Sequence, residues 1–265
     1  MGESLWRIAI VDSGLRAVDR TESTPATVRR FVDTGGAVAA CGPIEDSTGH
    51  GTTVARVIGS ARSHQAQNPV PELLIAQVLD EQGRCTAAAV AAAVRWAVAQ
   101  HARLVHLSLG LAQDRPVLAS AVAEAMAQGM ILVAAAPARG AISFPAGYSG
   151  VIRATGDARC DPGEISCLDA SEKLFGACVT HTSEAGQVSR GASICAAYLT
   201  RFIASRLAPS GGPGEIAKGL QRLAAHEGRE RRSARAGRAS ESSHAPQARP
   251  STSAISAISA DRQSN

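Results

Sequence analysis

Three residues in the chain are of the types that an acid, base and nucleophile relay needs, and each sits where such a group is well presented. Asp12 closes the apolar run "RIAIVD" and is followed by the turn residues Ser13 and Gly14. His50 stands between two glycines in "DSTGHGTTVARVI", immediately before a helical pattern, so the imidazole is exposed and another segment can approach closely. Ser193 opens a helical run in "SRGASICAAYLTRFIASRL", among the small residues Gly191, Ala192 and Ala196. Taken singly, each has an ordinary structural reading as a turn acid, a turn histidine or a helix cap. Together, and in the order acid, histidine, serine, they have the composition of a hydrolytic triad. A serine hydroxyl is a poor nucleophile until a base takes its proton, and the base needs a buried acid to orient it.

Such a relay works only if a rigid scaffold brings the three together. "LLIAQVL" (73–79), "RLVHLSL" (103–109), "MILVAAA" (130–136) and "VIRATG" (151–156) read, with "RIAIVD" (7–12), as strands buried on both faces. Residues 86–100 and 115–129 read as helices, the second with Pro116 near its start and Gly129 at its end. The alternation predicts an α/β fold with a parallel sheet between helices, and places ligands at the carboxyl ends of the strands. Only 3% of the chain is aromatic while 45% is hydrophobic, so the core must be built from small aliphatic side chains. After Pro209 the pattern decays, leaving a modest helix candidate over 215–226. Residues 228–265 lack the apolar periodicity needed to offset ordering entropy, and read as disordered. The expected division is therefore a domain over 1–208 and a basic, Ser/Ala/Arg-rich tail over 209–265.

The formal charge of +4 is drawn largely from "EGRERRSARAGR" in that tail, without interleaved aromatics, so no nucleic-acid partner is expected. No segment is long and apolar enough to span a membrane, and "SLWRIAIVD" is too short and charge-interrupted for a secretory signal. The six cysteines form no CxxC pair and read as reduced thiols of a cytoplasmic protein. Cys160, Cys167, Cys178 and His181 lack the tight spacing of a zinc site. Neither metal nor cofactor is expected, and the oligomeric state is open.

The motifs "VDSG", "GHGT" and "GASICAA" resemble the Asp, His and Ser motifs of the subtilisin family of serine proteases. "HLSLG" (106–110) resembles its substrate-binding strand, and "SFPAGYSGVIRATG" (143–156) the Pro-containing stretch after its oxyanion loop. The resemblance runs in order over residues 6–208. It implies a three-layer fold with a mainly parallel twisted sheet, and a peptide or protein substrate. Ser193 would be the nucleophile, His50 the general base and acid, and Asp12 the residue that orients the imidazole. Leu107, Ser108, Leu109 and Gly110 would bind substrate as an added strand, with Gly110 leaving room for its side chains. One departure bears on the chemistry: aligning "VAAAPARG" puts Ala138 where the family places an oxyanion-stabilising Asn, and Pro137 where it has Gly, so the backbone N–H of Ser193 remains as a donor. Around the serine, Ala192, Ala197 and Tyr198 replace the usual Thr, Pro and His, which bears on the helix geometry there. The family's secreted members carry an N-terminal prodomain, whereas here the Asp motif lies in the first dozen residues, so a compact intracellular form is expected. Three readings follow: a slow or narrowly specific endopeptidase, with maturation of a peptide precursor as one role; a catalytically impaired peptide-binding protein; and an α/β-hydrolase esterase. The esterase fits poorly, because "GASIC" lacks the closing glycine of a nucleophile elbow and the residue order differs.

Overall fold

Five continuous apolar runs become the middle of one sheet, because a strand covered on both faces has no need of alternation. A computed structural model describes residues 6–20, 26–61 and 71–230. In chain order it places β1 (Arg7–Asp12), a 3₁₀ turn (Ala17–Asp19), β2 (Ala26–Asp33), β3 (Val38–Cys41), α1 (His50–Gly59), β4 (Glu72–Gln77) and α2 (Ala87–Ala99). These are followed by β5 (Leu104–Leu107), α3 (Pro116–Ala127), β6 (Ile131–Ala135), β7 (Ile152–Gly156), β8 (Ile165–Asp169) and β9 (Leu174–Ala177). The described chain ends with β10 (Thr180–Thr182), β11 (Val188–Arg190), α4 (Ala192–Arg206), α5 (Pro213–Leu223) and β12 (His226–Glu227).

The large sheet runs β12-β8-β9-β7-β6-β5-β1-β4-β2-β3. All its neighbours are parallel except the β2/β3 and β8/β9 pairs. Along β1 the side chains alternate between two cores: Ile8 and Ile10 pack with α1 and α4, while Ala9 and Val11 pack with α2 and α3. This is the three-layer α/β arrangement expected from the alternation of elements. The helix ends follow local chemistry. Thr86 caps α2 by accepting the Ala89 N–H at 3.1 Å, Pro116 starts α3, and Gly129 takes up a positive φ just past its end.

The fold departs from expectation at both sheet edges. The β2/β3 hairpin carries Arg29 and Arg30 on a half-exposed edge, so it shows no apolar run. At the other edge, the packed core continues past the boundary expected at 208. Helix α5 buries Ile216 and Leu220 in the same cluster as α1 and α4, and β12 adds to the sheet beside β8. The connection is pinned by Arg103, whose guanidinium donates to the carbonyls of Pro209, Gly211 and Gly129, each at 2.9 Å. At the far end Arg159 donates to the Gly228 carbonyl at 2.6 Å. The expectation of a disordered tail falls mostly on 231–265, outside the described residues. Truncation after Ala208 is therefore expected to destabilise the protein by about 3–6 kcal/mol, since two buried aliphatic side chains at ~1.5–3 kcal/mol each are lost. Thermal denaturation of the truncated chain checks this, and an unchanged melting temperature would return the boundary to 208.

Candidate active site

Asp12 lies at the carboxyl end of β1, the strand flanked by β4 and β5 at the middle of the sheet, and is wholly buried. Its carboxylate is held from three sides. Oδ1 accepts the Ser13 N–H at 2.6 Å, His50 Nδ1 lies 2.8 Å from Oδ1 and 3.0 Å from Oδ2, and the Ser108 hydroxyl donates to Oδ2. Burial pushes the Asp12 pKa up, but the charge of His50 and these hydrogen bonds outweigh it, so the carboxyl stays below its ordinary range. The same pairing acts in reverse on His50. The Asp12 charge, opposed by burial and aided by Asp46, raises the imidazole pKa above the ordinary 6.5. With Nδ1–H donated to Asp12, Nε2 is left as the basic nitrogen.

His50 is the first residue of α1, and the close approach expected from its flanking glycines is present. A Cβ on Gly51 would collide with the Gly14 backbone that follows β1, while Gly49 sits at φ +68°. That contact brings the end of β1 and the start of α1 together, and with them Asp12 and His50.

Ser193 is the second residue of α4. Its hydroxyl donates to the Ser108 carbonyl at 3.1 Å, and no hydrogen bond joins it to His50 in this conformation. Ser108 thus joins both halves of the site: its side chain holds Asp12 and its carbonyl holds the Ser193 hydroxyl. The first intrahelical bonds of α4 come from Ile194 and Cys195 to Gly191, so the Ser193 N–H is one of the unpaired amides of a helix start. Ala196 and Ala197 are fully buried within a regular α4, and Tyr198 accepts or donates a hydrogen bond with His181 Nδ1 at 3.1 Å.

The four residues expected to bind substrate separate into two groups. Leu107 is paired on one side with Val11 and on the other with Ala134, and is fully buried, so no added strand reaches it there. Ser108 is occupied as described. Beyond them, Leu109 and Gly110 carry no backbone hydrogen bond to other described residues, before Leu111 exchanges two with Phe144 at 2.7 and 2.8 Å. The space expected beside Gly110 is taken by Ser143, whose Cβ and Oγ lie 3.0 Å from where a Gly110 Cβ would stand. Ala138 lies in an exposed loop after β6, with Pro137, Arg139 and Gly140 equally exposed. Asp46, which type and order do not single out, is buried too, and accepts the Gly49 and Thr52 N–H groups at the start of α1. Its signal was an acid four residues ahead of the histidine. Among the described residues no cluster of His, Cys, Asp or Glu is arranged to hold a metal.

The family model described as the subtilase family matches residues 6–251. The chain belongs to the subtilase family. Among curated relatives, thermitase of Thermoactinomyces vulgaris is 28% identical over 229 residues, covering 84% of this chain and 76% of that one. Minor extracellular protease Epr of Bacillus subtilis is 30% identical over 154 residues, 55% of this subtilase and 22% of Epr. With a thermostable alkaline protease at 31% and subtilisin BL at 41%, this chain spans well under half the length of several such relatives. Among solved structures, a serine-to-alanine variant of the protease domain of PatA has a TM-score of 0.58 at 19% identity, covering 85% of this chain and 92% of that one. The prenylagaramide maturation protease PagA has a TM-score of 0.53 at 17% identity, covering 80% of each chain. These likenesses establish a subtilisin-like fold for the subtilase.

Proposed function

We propose that this subtilase is a serine endopeptidase that cleaves peptide or protein substrates through Asp12, His50 and Ser193. The observation that carries the reading is the buried Asp12 carboxylate 2.8 Å from His50 Nδ1, which leaves Nε2 as a base. For the reaction, the Ser193 hydroxyl leaves the Ser108 carbonyl and takes His50 Nε2 as its acceptor. His50 takes the proton as Oγ attacks the scissile carbonyl, and returns it to the leaving amine as the acyl-enzyme forms. Water, deprotonated by the same imidazole, then releases the second product. The short unpaired backbone at Leu109 and Gly110 receives the substrate chain. The Ser193 N–H supports the oxyanion, and the loop at Ala138 contributes no side-chain donor, which makes the enzyme slow.

A narrow specificity, such as maturation of a peptide precursor, is supported by the kinship in fold with PatA and PagA. The six free cysteines favour a reducing, intracellular setting. No described helix is long and apolar enough to cross a membrane. The peptidase domain is taken to extend through Gly228, since α5 and β12 belong to its core. A second reading, a peptide-binding protein without turnover, draws on Ala138 and on the Ser193 hydroxyl being bonded to Ser108 rather than His50.

Labelling with a fluorophosphonate separates the two, and intact-mass analysis is expected to show one adduct that disappears in Ser193→Ala. Absence of an adduct on active-site titration would favour the binding protein. A peptide library read out by mass then defines the cleaved sequence. The pH profile is a further check. His50 must be neutral to accept the serine proton, so kcat/KM falls as pH drops through its pKa. Because Asp12 raises that pKa, the acid limb is expected above the ordinary histidine value of 6.5.

A further inference from the structure

The N-terminus of α1 presents an unusual problem. Its N-cap is Gly49, which has no side chain to satisfy the first amides, yet His50, the residue that must be held still, is the very next one. Every one of those amides is nevertheless satisfied, by side chains from elsewhere. The Gly49 N–H donates to Asp46 Oδ1 at 3.0 Å and the Thr52 N–H to Asp46 Oδ2 at 2.9 Å. The Gly51 N–H donates to Ser13 Oγ at 2.9 Å, and the His50 N–H to Thr48 Oγ1 at 3.2 Å. Those two hydroxyls are in turn organised by Asp46. The Ser13 hydroxyl donates to Oδ1 at 2.9 Å, the Thr48 hydroxyl lies 3.0 Å from the same oxygen, and the Thr52 hydroxyl donates to Oδ2 at 2.6 Å.

We infer that Asp46 is a positioning residue for the base: it fixes the first turn of α1 against the end of β1 and places a second buried carboxylate at the start of the helix that carries His50. The inference rests on the reading of His50 as the base. Asp46 is only 1% exposed, so its charge is weakly screened, and it acts on His50 alongside Asp12. Burial raises the pKa of Asp46, but hydrogen bonds from Thr52, Ser13 and Thr48 prevail and keep it ionised. The other groups around His50 do not replace it. From β5, His106 is pushed by burial to about 4 and is neutral in the working range. From the loop after β1, the Arg16 guanidinium lies against Gly49, and α4 contributes the uncharged Ser193. A carboxylate that caps the helix on which His50 stands links geometry to basicity, since losing it loosens the His50 backbone and removes a buried negative charge near the imidazole together.

The test is a histidine NMR titration of the full chain, with the His50 signal assigned by its loss in His50→Gln, alongside the pH profile of kcat/KM. Asp46→Asn keeps the shape and removes the charge; Thr52→Val removes a hydroxyl from the same network and keeps the charge. The expected result is that both variants melt earlier, but only Asp46→Asn moves the His50 midpoint and the acid limb to lower pH. Asp46→Ser, equally uncharged and with room for water at the amides, serves if the Asn variant does not fold. An unmoved midpoint in the charge-free variants, or an equal movement in Thr52→Val, would overturn the inference. Asp12→Asn keeps the two readings apart. If it lowers the His50 midpoint while the Asp46 variants do not, Asp46 is only structural; if it does not lower the midpoint, the pairing of acid and base itself is wrong.

Discussion

Ser193→Ala is expected to lower kcat by about 10³–10⁴-fold while leaving the fold intact. The size follows from two effects measured in subtilisin, a member of the same family. There, removing the serine or the histidine alone costs about 2 × 10⁶ in kcat, about as much as removing the whole triad. The side-chain oxyanion donor is worth ~10²–10³ of such a rate, and a subtilase with Ala138 starts without it. The remaining contribution of the triad is the quotient. His50→Ala is expected to cost as much as Ser193→Ala, and the double variant no more than either, because an unactivated hydroxyl and an unused base are equally idle. Asp12→Asn is expected to cost less in rate but more in stability. Its carboxylate is buried and receives hydrogen bonds from Ser13, His50 and Ser108, whereas the Ser193 hydroxyl has only the Ser108 carbonyl. Single-turnover kinetics with thermal denaturation separates the two effects. Wild-type turnover in Ser193→Ala would end the triad reading.

What the residues reveal without a structure depends on whether their environment is local. The central strands were legible because β1, β4, β5, β6 and β7 lie in the middle of the sheet between helices, and a doubly covered strand is apolar at most of its positions. Strands β2 and β3 were not, since this outermost hairpin is only partly covered and carries Arg29 and Arg30 in β2. Helix α5 gave only a weak signal: two residues, Ile216 and Leu220, carry its contact with the core, and the Gly and Pro around 210–214 look like the start of a linker. In the candidate site, Asp12, His50 and Ser193 stand out by type and order; the structure brings the first two into contact and sets the Ser193 hydroxyl against the Ser108 carbonyl. Ser108 was legible as part of a strand end but not as the group that joins Asp12 to Ser193, which requires β1, β5 and α4 to be side by side. Leu107 was misplaced for the converse reason, because pairing on both sides is a property of the sheet and not of the run "HLSLG". Asp46 was hidden among polar loop residues. Its burial arises only when the turn after β1 closes over the start of α1.

Ala138→Asn is expected to raise kcat while leaving KM nearly unchanged. During attack the scissile carbonyl becomes an oxyanion, and a donor aimed at that charge stabilises the transition state far more than the bound substrate. In subtilisin the loss of such a donor costs about 2.7–4 kcal/mol. The Ser193 N–H is unpaired at the start of α4 and offers one donor, while the loop carrying Ala138 is exposed and adds only a methyl group. The gain is expected to fall short of that range. The backbone of β6 remains tied to β7 through the Ala136 N–H, which donates to the Ala154 carbonyl at 2.7 Å, and Pro137 then fixes the direction in which the loop leaves. An Asn at 138 starts from that direction and not from the one a glycine permits. Arg139 supplies the competing outcome. Its side chain is exposed on the same loop, and a guanidinium swung over the site would donate in place of the Asn. In that case Arg139→Ala lowers kcat strongly and Ala138→Asn adds little, because the oxyanion is already served. The two substitutions therefore give opposite patterns, and steady-state kinetics on one cleaved peptide reads both. If turnover is measurable and neither substitution changes it, the loop after β6 has no part in stabilising the oxyanion, and the second donor has to be sought among the groups that line Ser193 from β5 and α4.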